Sequence, residues 1–463
     1  MSVQLVWFKN DLRLADNPAL CAALGAGGPV LPLYVLDERA GAANRWWLHY
    51  SLKSLAKNIS ARGGRLILRR GDPVELISQL VKDHNITGVH STRSYEPFWR
   101  QADRRLDAAL RLQNCGFHRH LSASLFAPER ITTKDGKPFG VYTPFSKACF
   151  NAGVSADRLP SPETFNSPAL DSDELASWRL LPTKPDWAGG LRAEWTPGEV
   201  GALSRLDTFL AGPVQHYDLA RDFPAQTATS KLAPHIHFGE ISPRLVWQRT
   251  VKAKAGKGGE VFLKELLWRE FSLNQLWQHP TLRSEPLRKE FSTFNWQTNA
   301  PLLSAWQKGL TGIPIVDAGM RELWQTGWMH NRVRMICASF LVKHLLIPWQ
   351  AGEKWFWETL CEADEAANAA SWQWVAGCGA DAAPYFRIFN PVLQGQKFDS
   401  EGAYVRRFVP ELEKLPNAYI HTPWEAPDPL RKQVDYPEPI MSPAQGRQAA
   451  LAAYAEMRNT AKQ

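Results

Sequence analysis

The first third of the chain alternates short apolar runs with helical patterns, and this alternation constrains the fold more than any other feature. The apolar or β-branched runs are VQLVWF, VLPLYVLD, RLILRR and ITGVHSTR. Runs of this length and composition are typical of parallel strands with helices between them. Asn17-Pro18 and Asp72-Pro73 have the N-cap and proline order that starts a helix. The pattern predicts a doubly wound, Rossmann-like α/β domain with a parallel sheet.

This domain lacks the glycine pattern of a dinucleotide site. No G-x-G-x-x-G follows the first predicted strand, and Gly25 to Gly28 precede the second, where they predict a turn. We therefore do not expect a dinucleotide to bind to this domain.

The rest of the chain is organised differently. Residues 157–200 are rich in Pro, Ser, Asp and Gly, which is typical of a long irregular connection. Beyond them the pattern is helical, from LSRLDTFLAG through EKWFWETLCEADEAANAA to the Ala-rich surface helix QAALAAYAEMRNTAKQ. We predict an α/β domain at residues 1–130, an interdomain linker at 131–200 and an all-helical domain at 201–463.

Composition narrows the class of protein. The net charge of +8 suggests a polyanionic partner. The six cysteines are scattered without a C-x-x-C, which favours a reduced cytoplasmic protein with no metal site. We see no signal-peptide layout and no apolar run of membrane-spanning length, so we expect no membrane association. The 20 tryptophans are either large core side chains or rings that stack on flat ligands or carry electrons.

Two segments of the helical part combine donors, acids and rings. A Thr-Ser-Lys run at 229–231 precedes a predicted helix. It offers hydroxyls, N–H groups and a cation to phosphate oxygens, or it simply caps the helix. In FLKELLWREF, Glu265, Trp268 and Arg269 share or adjoin one helical face. They would hold a polar ring that stacks on the indole, or they form a surface ion pair beside a core tryptophan.

A third segment, WMHNRVRM, brings arginines close to an apolar side chain. Asn331, Arg334 and Met335 fall on nearby turns, and Met335 can pack against a flat ring. Arg332 and Arg334 point to different sides, so that one could meet phosphate while the other pairs with a buried acid. The alternative is an amphipathic helix with exposed arginines.

The fourth segment is CEADEAANAASWQW. A helix carrying Glu362, Asp364 and Asn368 would offer acceptors and an amide along one side, and its alanines would let a flat ligand approach closely. Together the four segments predict a deep cavity for a diphosphate-linked aromatic cofactor, with an aromatic rim for a second flat ligand.

The chain resembles the DNA photolyase/cryptochrome flavoprotein family from end to end. The matching stretches, in the family's order, are LVWFKNDLRLADNPAL, TSKLAPHIHFGEISP, ELLWREF, TGIPIVDAGMRELWQTGWMHNRVRM and NAASWQWVAGCGADAAPYFRIFNPVLQGQKFD. The resemblance implies an antenna-binding N-terminal domain and a helical domain that binds a U-shaped FAD. It is strongest to bacterial enzymes of class I or III that repair cyclobutane pyrimidine dimers.

The resemblance also implies roles for the residues around FAD. Arg334 matches the arginine that ion-pairs across the isoalloxazine, and Glu362 stands where its partner is usually Asp. Asp364 corresponds to the acid near the flavin and ribose, and Asn368 to the amide that faces flavin N5. The family's diphosphate-binding run and its upstream tyrosine correspond to Thr229, Ser230, Lys231, Leu232, Ala233 and Tyr217.

A lesion pocket is implied in the same way. The residues that line it correspond to Glu265, Trp268, Asn331, Met335 and Trp374. Trp268 and Trp374 would stack on the two flipped pyrimidines, and Glu265 would hydrogen-bond to the 5′ base. A damaged pair is cheaper to extrude because it stacks and pairs poorly. Arg269 and Arg332 would hold DNA phosphates.

The family's tryptophan chain carries electrons from the surface to the excited flavin. It corresponds to Trp372, Trp349 and Trp296, with Trp372 on the flavin side. The alternative is that all three rings are core packing.

Three activities compete within the family. The favoured one is light-driven repair of cyclobutane pyrimidine dimers in UV-damaged DNA by a monomeric enzyme, through electron transfer from excited reduced FAD. The alternatives are a cryptochrome-type blue-light sensor and, less favoured, a (6-4) photolyase. A (6-4) enzyme typically has a second His after that of WMH, whereas Asn331 follows His330 here. Sensors usually carry a long C-terminal extension, and the chain stops soon after its helical pattern.

A second chromophore, the antenna, is expected on the N-terminal domain. NRWWLHYSL and PHIHFGEIS are similar to class III enzymes and plant cryptochromes. Methenyltetrahydrofolate is the expected antenna, with 8-hydroxy-deazaflavin as the alternative. Glu96 matches a position near the antenna in some members. Trp46 and Trp47 could stack on it or belong to the core, and the core is favoured for Trp47.

Overall fold

The computed structural model describes residues 2–381 and 386–460. Residues 1, 382–385 and 461–463 lie outside this part of the chain. They include four residues of the longest matching motif and the outermost residues of the first and last predicted domains.

A parallel sheet of five strands organises the N-terminal part of the described chain. The strands are β1 (Val3–Phe8), β2 (Val30–Val35), β3 (Ile67–Arg69), β4 (Ile86–Thr92) and β5 (Gly116–His120). Their order is β3-β2-β1-β4-β5, and neighbouring strands are parallel. The first four agree with the predicted strands. β5 is not predicted, because GFHRH lacks an apolar alternation.

The first helices connect these strands as a doubly wound fold requires. They are α1 (Pro18–Gly25), α2 (Ala42–Ser60), α3 (Pro73–Asp83) and α4 (Pro97–Arg111). A fifth helix, α5 (Tyr142–Ala152), follows the last strand. The side chain of Asn17 caps α1 and that of Asp72 caps α3, each with proline in the first turn, as predicted. Residues 153–188 are irregular apart from one short 3₁₀ helix at Leu175–Trp178.

The remainder of the described chain is helical. Its helices are α6 (Gly189–Glu194), α7 (Glu199–Ala211), α8 (Tyr217–Ala220), α9 (Ala233–His237), α10 (Pro243–Lys252), α11 (Gly256–Gln278), α12 (Ala300–Lys308), α13 (Pro314–Thr326), α14 (Asn331–Ser339), α15 (Trp349–Thr359), α16 (Glu365–Ala376), α17 (Pro391–Phe398), α18 (Ala403–Phe408), α19 (Asp428–Arg431) and α20 (Pro443–Thr460). α14 continues into one π-helical turn, Phe340–His344. The predicted fold class, an α/β part followed by a helical part, is confirmed.

The sequence pattern predicts one continuous helix through EKWFWETLCEADEAANAA, and this prediction is wrong. The segment forms α15 and α16 with a break between them. Asp364 has extended backbone angles, and its Oδ1 accepts from the N–H groups of Ala366 and Ala367 at 2.9 and 2.7 Å. An aspartate satisfies the unpaired N–H groups of a helix start in this way. Glu362 and Asp364 therefore precede the helix that carries Asn368.

The chain divides into two compact units. Unit 1 comprises residues 1–188, 192–215 and 230–280, and unit 2 comprises 189–191, 216–229 and 281–463. Unit 1 has a core around the sheet, in which Leu5, Trp7 and Leu33 are fully buried. Unit 2 has a larger helical core, which includes Trp306, Trp349 and Trp372. No helix in the described residues is both long enough and apolar enough to cross a membrane.

Candidate active site

Asn368 lies in the first turn of α16, and Glu353 of α15 fixes its amide. Asn368 Nδ2 donates to the backbone oxygen of Glu353 at 3.1 Å and to its Oε1 at 3.0 Å. Both partners are acceptors, so they must face the amide nitrogen. Both hydrogen bonds of this amide in the described structure use Nδ2, which leaves Oδ1 as the atom that a ligand can engage.

Arg283 extends this contact outward. Its Nε donates to Glu353 Oε1 at 2.8 Å, and its guanidinium lies 3.7 Å from the ring centre of Trp357. Burial raises the pKa of the Glu353 carboxyl, and the positive charge of Arg283 opposes that shift. Sequence analysis missed Glu353 and Arg283. Trp349 and Glu353 are four residues apart, which places both on one face of a helix and is only a weak sequence signal. Arg283 has no local sequence signal.

Arg334 of α14 pairs with Glu362, as the sequence predicts. Arg334 Nη2 contacts Glu362 Oε1, and its Nε donates to the backbone oxygen of Met329 at 2.6 Å. The other carboxylate oxygen of Glu362, Oε2, is buried and has no hydrogen-bond partner in the described residues. Burial raises the pKa of Glu362, while the adjacent Arg334 charge lowers it. Glu362 is therefore a buried acid with one oxygen open to a ligand.

Arg332 points to a different side from Arg334, again as predicted. Its Nη2 lies 2.7 Å from Asp222 Oδ2, and its guanidinium lies 4.4 Å from the ring centre of Phe398. The guanidinium is thus partly occupied by an acid of the same unit. His330, the N-cap of α14, accepts from the N–H of Arg332 at 3.2 Å. Burial lowers the pKa of His330 to about 4, so this imidazole is neutral at pH 7.

Three further predicted residues lie in the same unit. Asn331 and Met335 are one turn apart on α14, where Asn331 is exposed and Met335 is half-buried. An i, i+4 pair lies on one helical face. Tyr217, the first residue of α8, is buried, and the guanidinium of Arg221 lies 5.4 Å from its ring centre.

Trp372 is buried one turn after Asn368 on α16. Its ring meets Phe356 edge-on at 5.0 Å and Trp306 at 6.1 Å. Gly352 of α15 makes this packing possible, because a Cβ there would lie 2.1 Å from Trp372 Cη2. The other members of the predicted chain differ in exposure: Trp349 is fully buried and Trp296 is half-buried.

Trp374 lies two residues beyond Trp372, so the helix turns it to another side. It is half-buried, in contrast to the buried Trp372. One helix therefore presents Asn368 and Trp372 inward and a second tryptophan with exposed ring surface.

In unit 1, α11 carries Glu265, Trp268 and Arg269, all half-buried. The Trp268 ring is stacked parallel on Tyr142 with 3.6 Å between ring centres. Arg269 Nη1 lies 3.0 Å from Glu270 Oε1, and its Nη2 donates to the backbone oxygen of Ala123 at 2.8 Å. Sequence analysis missed Tyr142. Tyr142 stands in GVYTPF, within the predicted linker, where no local pattern marks it as a site residue.

The Ser230–Ala233 run makes polar contacts within unit 1. Lys231 has a positive φ of 49°, and its Nζ lies 2.8 Å from Glu194 Oε1. The N–H of Leu232 donates to Ser230 Oγ at 3.4 Å, and Ala233 begins α9. Thr229, at the edge of unit 2, is half-buried.

The two candidate antenna residues lie in different surroundings of unit 1. Trp46 is 1% exposed and packs against Tyr50, with 5.0 Å between ring centres. Glu96 precedes α4, beyond the carboxyl end of β4, where its Oε2 lies 3.7 Å from Arg39. Trp47 is a core residue, which is the alternative that the sequence favours, and its Nε1 donates to Glu240 at 3.0 Å.

The chain is similar to known proteins in sequence and in fold. Residues 4–163 match the family model described as DNA photolyase, and residues 262–456 match the FAD binding domain of DNA photolyase. The chain is 48% identical to the deoxyribodipyrimidine photo-lyase of Agrobacterium fabrum over 98% of each protein. It is 36% identical to cryptochrome-1 of Arabidopsis thaliana, over 94% of this chain and 68% of that protein. A crystal structure of a bacterial class III photolyase from Agrobacterium tumefaciens matches with a TM-score of 0.96 and 47% identity, over 99% of this chain and 98% of that chain. The chain therefore belongs to the DNA photolyase/cryptochrome family.

Proposed function

We propose that this protein is a deoxyribodipyrimidine photo-lyase, which uses light to repair cyclobutane pyrimidine dimers in DNA. The observation that carries the proposal is the 48% identity to an enzyme of that name over 98% of both chains. The similarity to a class III photolyase structure supports the bacterial class III branch over class I.

FAD fits the residues that are candidates for holding it. Glu362 Oε2 is a buried acceptor without a hydrogen-bond partner in the described residues, and Asn368 offers Oδ1. Ala363, Ala366 and Ala369 are buried beside them and add little bulk. When bound in its reduced form, FAD would supply light-driven electron transfer for opening the dimer, with no net redox change.

The predicted cofactor residues would bind FAD and tune its flavin. Asn368 would accept a hydrogen bond through Oδ1, since Glu353 holds its Nδ2. Arg334 would place a positive charge beside the flavin ring, and the carboxylate of Glu362 would partly neutralise that charge. Asp364 would offer its second oxygen to the ribose, because Oδ1 caps α16. The diphosphate would be held through the donors of Thr229, Ser230, Lys231, Leu232 and Ala233, with Tyr217 alongside.

The lesion would be recognised by rings, an acid and an amide. Trp268 and Trp374 are half-buried, so each has ring surface on which a flipped pyrimidine can stack. Glu265 would hydrogen-bond to the 5′ base. Asn331 and Met335 share one face of α14 and would contact the dimer from there.

Positive charge would help the protein to bind DNA. The net charge of +8 favours binding to the DNA backbone. Arg269 and Arg332 would contribute to phosphate binding, each with part of its guanidinium held by a neighbouring acid.

Trp372, Trp349 and Trp296 would pass electrons inward to reduce the cofactor. We also propose that the enzyme acts as a monomer.

An antenna chromophore would sit on the α/β part of the chain. Ligands of such folds bind beyond the carboxyl ends of the strands, and Glu96 follows β4 at that edge. We propose methenyltetrahydrofolate, with 8-hydroxy-deazaflavin as the alternative, near Glu96 and Trp46. In this scheme residues 1–130 form the antenna domain, 131–200 the linker and 201–463 the FAD domain.

Repair under light tests the function directly. The reduced protein is mixed with UV-irradiated oligothymidine under blue light, and absorbance near the thymine band is followed. We expect absorbance to recover in the light only, with a dark sample and unirradiated oligothymidine as controls. A yellow protein that photoreduces but restores no absorbance would favour the cryptochrome-type sensor or the (6-4) enzyme, and a (6-4) substrate would then be tried.

A further inference from the structure

We propose that Tyr142 is a positioning residue for lesion recognition, which holds the indole of Trp268 so that one face is presented to the damaged base. The inference rests on the proposed function, because Trp268 is the ring that would stack on a flipped pyrimidine. It concerns a residue outside the predicted lesion pocket, and it is drawn entirely from contacts within unit 1.

The stack itself is close and parallel. The ring centres of Tyr142 and Trp268 are 3.6 Å apart, and the two planes differ by 5°. Phe271 meets the Trp268 ring edge-on at 5.8 Å with an interplanar angle of 80°. Tyr142 thus covers one face of the indole and Phe271 packs against it laterally. Trp268 is half-buried, so part of its surface remains exposed, and the face that Tyr142 covers is not available to a base.

Tyr142 is itself fixed at both ends. It is 8% exposed, and its hydroxyl donates to the backbone oxygen of Lys264 at 2.6 Å. Lys264 lies one turn before Trp268 on α11, so the tyrosine spans that turn with its hydroxyl at one end and its ring over the indole. Phe145, one turn further along α5, packs against Phe271 with 5.3 Å between ring centres. With the contact between Tyr142 and Phe271, three aromatic pairs join α5 to α11.

The residues around Tyr142 and Trp268 determine this stacked arrangement more than the two rings themselves do. Aromatic pairs on their own favour offset or edge-on geometries with ring centres farther apart. Tyr142 is buried and also packs edge-on against Phe271 with 5.9 Å between ring centres, so packing around its ring holds it over the indole, and the hydroxyl contact to Lys264 adds to this. A held indole loses less side-chain freedom when a base stacks on it, so binding of the flipped base is favoured.

The test is a double-mutant cycle on binding affinity. Kd is measured for a duplex with one thymine dimer and for the same undamaged duplex, in the dark, with FAD-loaded protein. We expect Tyr142→Leu to weaken binding of the dimer duplex about three- to tenfold and to leave the undamaged duplex unchanged. In a Trp268→Leu background, Tyr142→Leu should have no further effect. Tyr142→Phe keeps the ring and should restore most of the affinity.

Phe145→Leu serves as the matched control. It removes another buried ring of α5, whose ring contacts in the described structure are with Phe139 and Phe271. It should lower thermal stability while preserving the preference for the dimer duplex. If Tyr142→Leu does not fold, the cycle is run with Tyr142→Met, which fills the space without a ring and carries the same expectations.

Two results would overturn the inference and leave the proposed function standing. One is an unchanged affinity in Tyr142→Leu or an equal loss on both duplexes. The other is the same loss with and without Trp268. A wild-type protein that neither prefers the dimer duplex nor repairs it would instead overturn the proposed function, and the role of Tyr142 with it.

Discussion

Asn368 donates to Glu353 Oε1 at 3.0 Å, and this contact decides which atom of the Asn368 amide is available to a ligand. The nitrogen faces two oxygens of Glu353, so the carbonyl oxygen must face the opposite way. Arg283 holds the same carboxylate oxygen of Glu353. A hydrogen-bonded chain of three side chains thus leads from the half-buried Arg283 through Glu353 to Asn368 at the candidate flavin site.

Removing the Asn368 side chain should make the bound flavin harder to reduce. A reduced flavin carries an N–H that Oδ1 can accept, whereas the oxidised ring does not. Loss of one such hydrogen bond costs about 1 kcal/mol, or about 20 mV for a two-electron couple. We expect Asn368→Ala to lower the midpoint potential by about that amount in spectroelectrochemical titration. Glu353→Gln should also lower the midpoint potential, because the new glutamine amide can cause the amide of Asn368 to rotate. An unchanged potential in Asn368→Ala would contradict the assignment to flavin N5.

Replacing Trp372 should separate photoreduction from repair. Phenylalanine fills much of the space against Gly352 and Phe356 but is far harder to oxidise. We expect Trp372→Phe to photoreduce at a small fraction of the wild-type rate in the presence of a reductant. The chemically reduced variant should still repair dimers at close to the wild-type rate. Trp7→Phe, which alters a fully buried ring of unit 1, is the control. Normal photoreduction in Trp372→Phe would remove it from the electron chain.

Trp374 should contribute to damage recognition and not to cofactor retention. It is half-buried, so its ring has surface for stacking. A stacked base is worth about 1–3 kcal/mol, so Trp374→Ala should weaken binding to a dimer-containing duplex about 5- to 150-fold. Fluorescence anisotropy gives the affinity, and the FAD absorbance of the purified variant gives the cofactor content. Equal affinities of variant and wild type would exclude Trp374 from the lesion pocket.

The sheet edge between β4 and β5 should make the α/β part sensitive to acid. His90 is buried opposite His118 in the strand register, and its Nδ1 lies 3.2 Å from His120 Nε2. Burial, and then the neighbouring imidazoles, lower the pKa of His90 from 6.5 to about 4. Between these values the unfolded chain binds more protons than the folded chain, so stability falls as the pH falls.

The acid effect has a defined window and a matched variant. We expect His90 to contribute about 2 kcal/mol to the free energy of unfolding after solvent screening. This contribution should be present above pH 6.5 and lost as the pH falls toward 4. Thermal unfolding followed by circular dichroism from pH 4.5 to 8 measures it. His90→Gln, which can still bond to Gln4, should lose less stability over this window than the wild type. A variant with the wild-type pH profile would show that His90 is not the group responsible.

The sequence by itself determines the local elements and the chemistry of the candidate residues. The strands β1 to β4 and the caps at Asn17 and Asp72 follow from patterns that span a few residues, because hydrogen bonding and side-chain direction repeat at fixed short intervals. The family resemblance likewise predicts roles for Asn368, Arg334 and the candidate tryptophans from residue type and order. The pairing of Arg334 with Glu362 follows from the family resemblance, in which Glu362 stands at the position of the usual Asp partner.

Only the tertiary structure decides which distant groups meet and how they are oriented. The helix break before Asp364 was missed because an apolar pattern continues across it, while the carboxylate cap ends that continuity. The orientation of the Asn368 amide depends on Glu353, and the placement of Trp268 depends on Tyr142 in another helix. Such contacts join segments far apart in the chain, and their geometry is fixed by how whole helices pack. No periodicity within either segment encodes them.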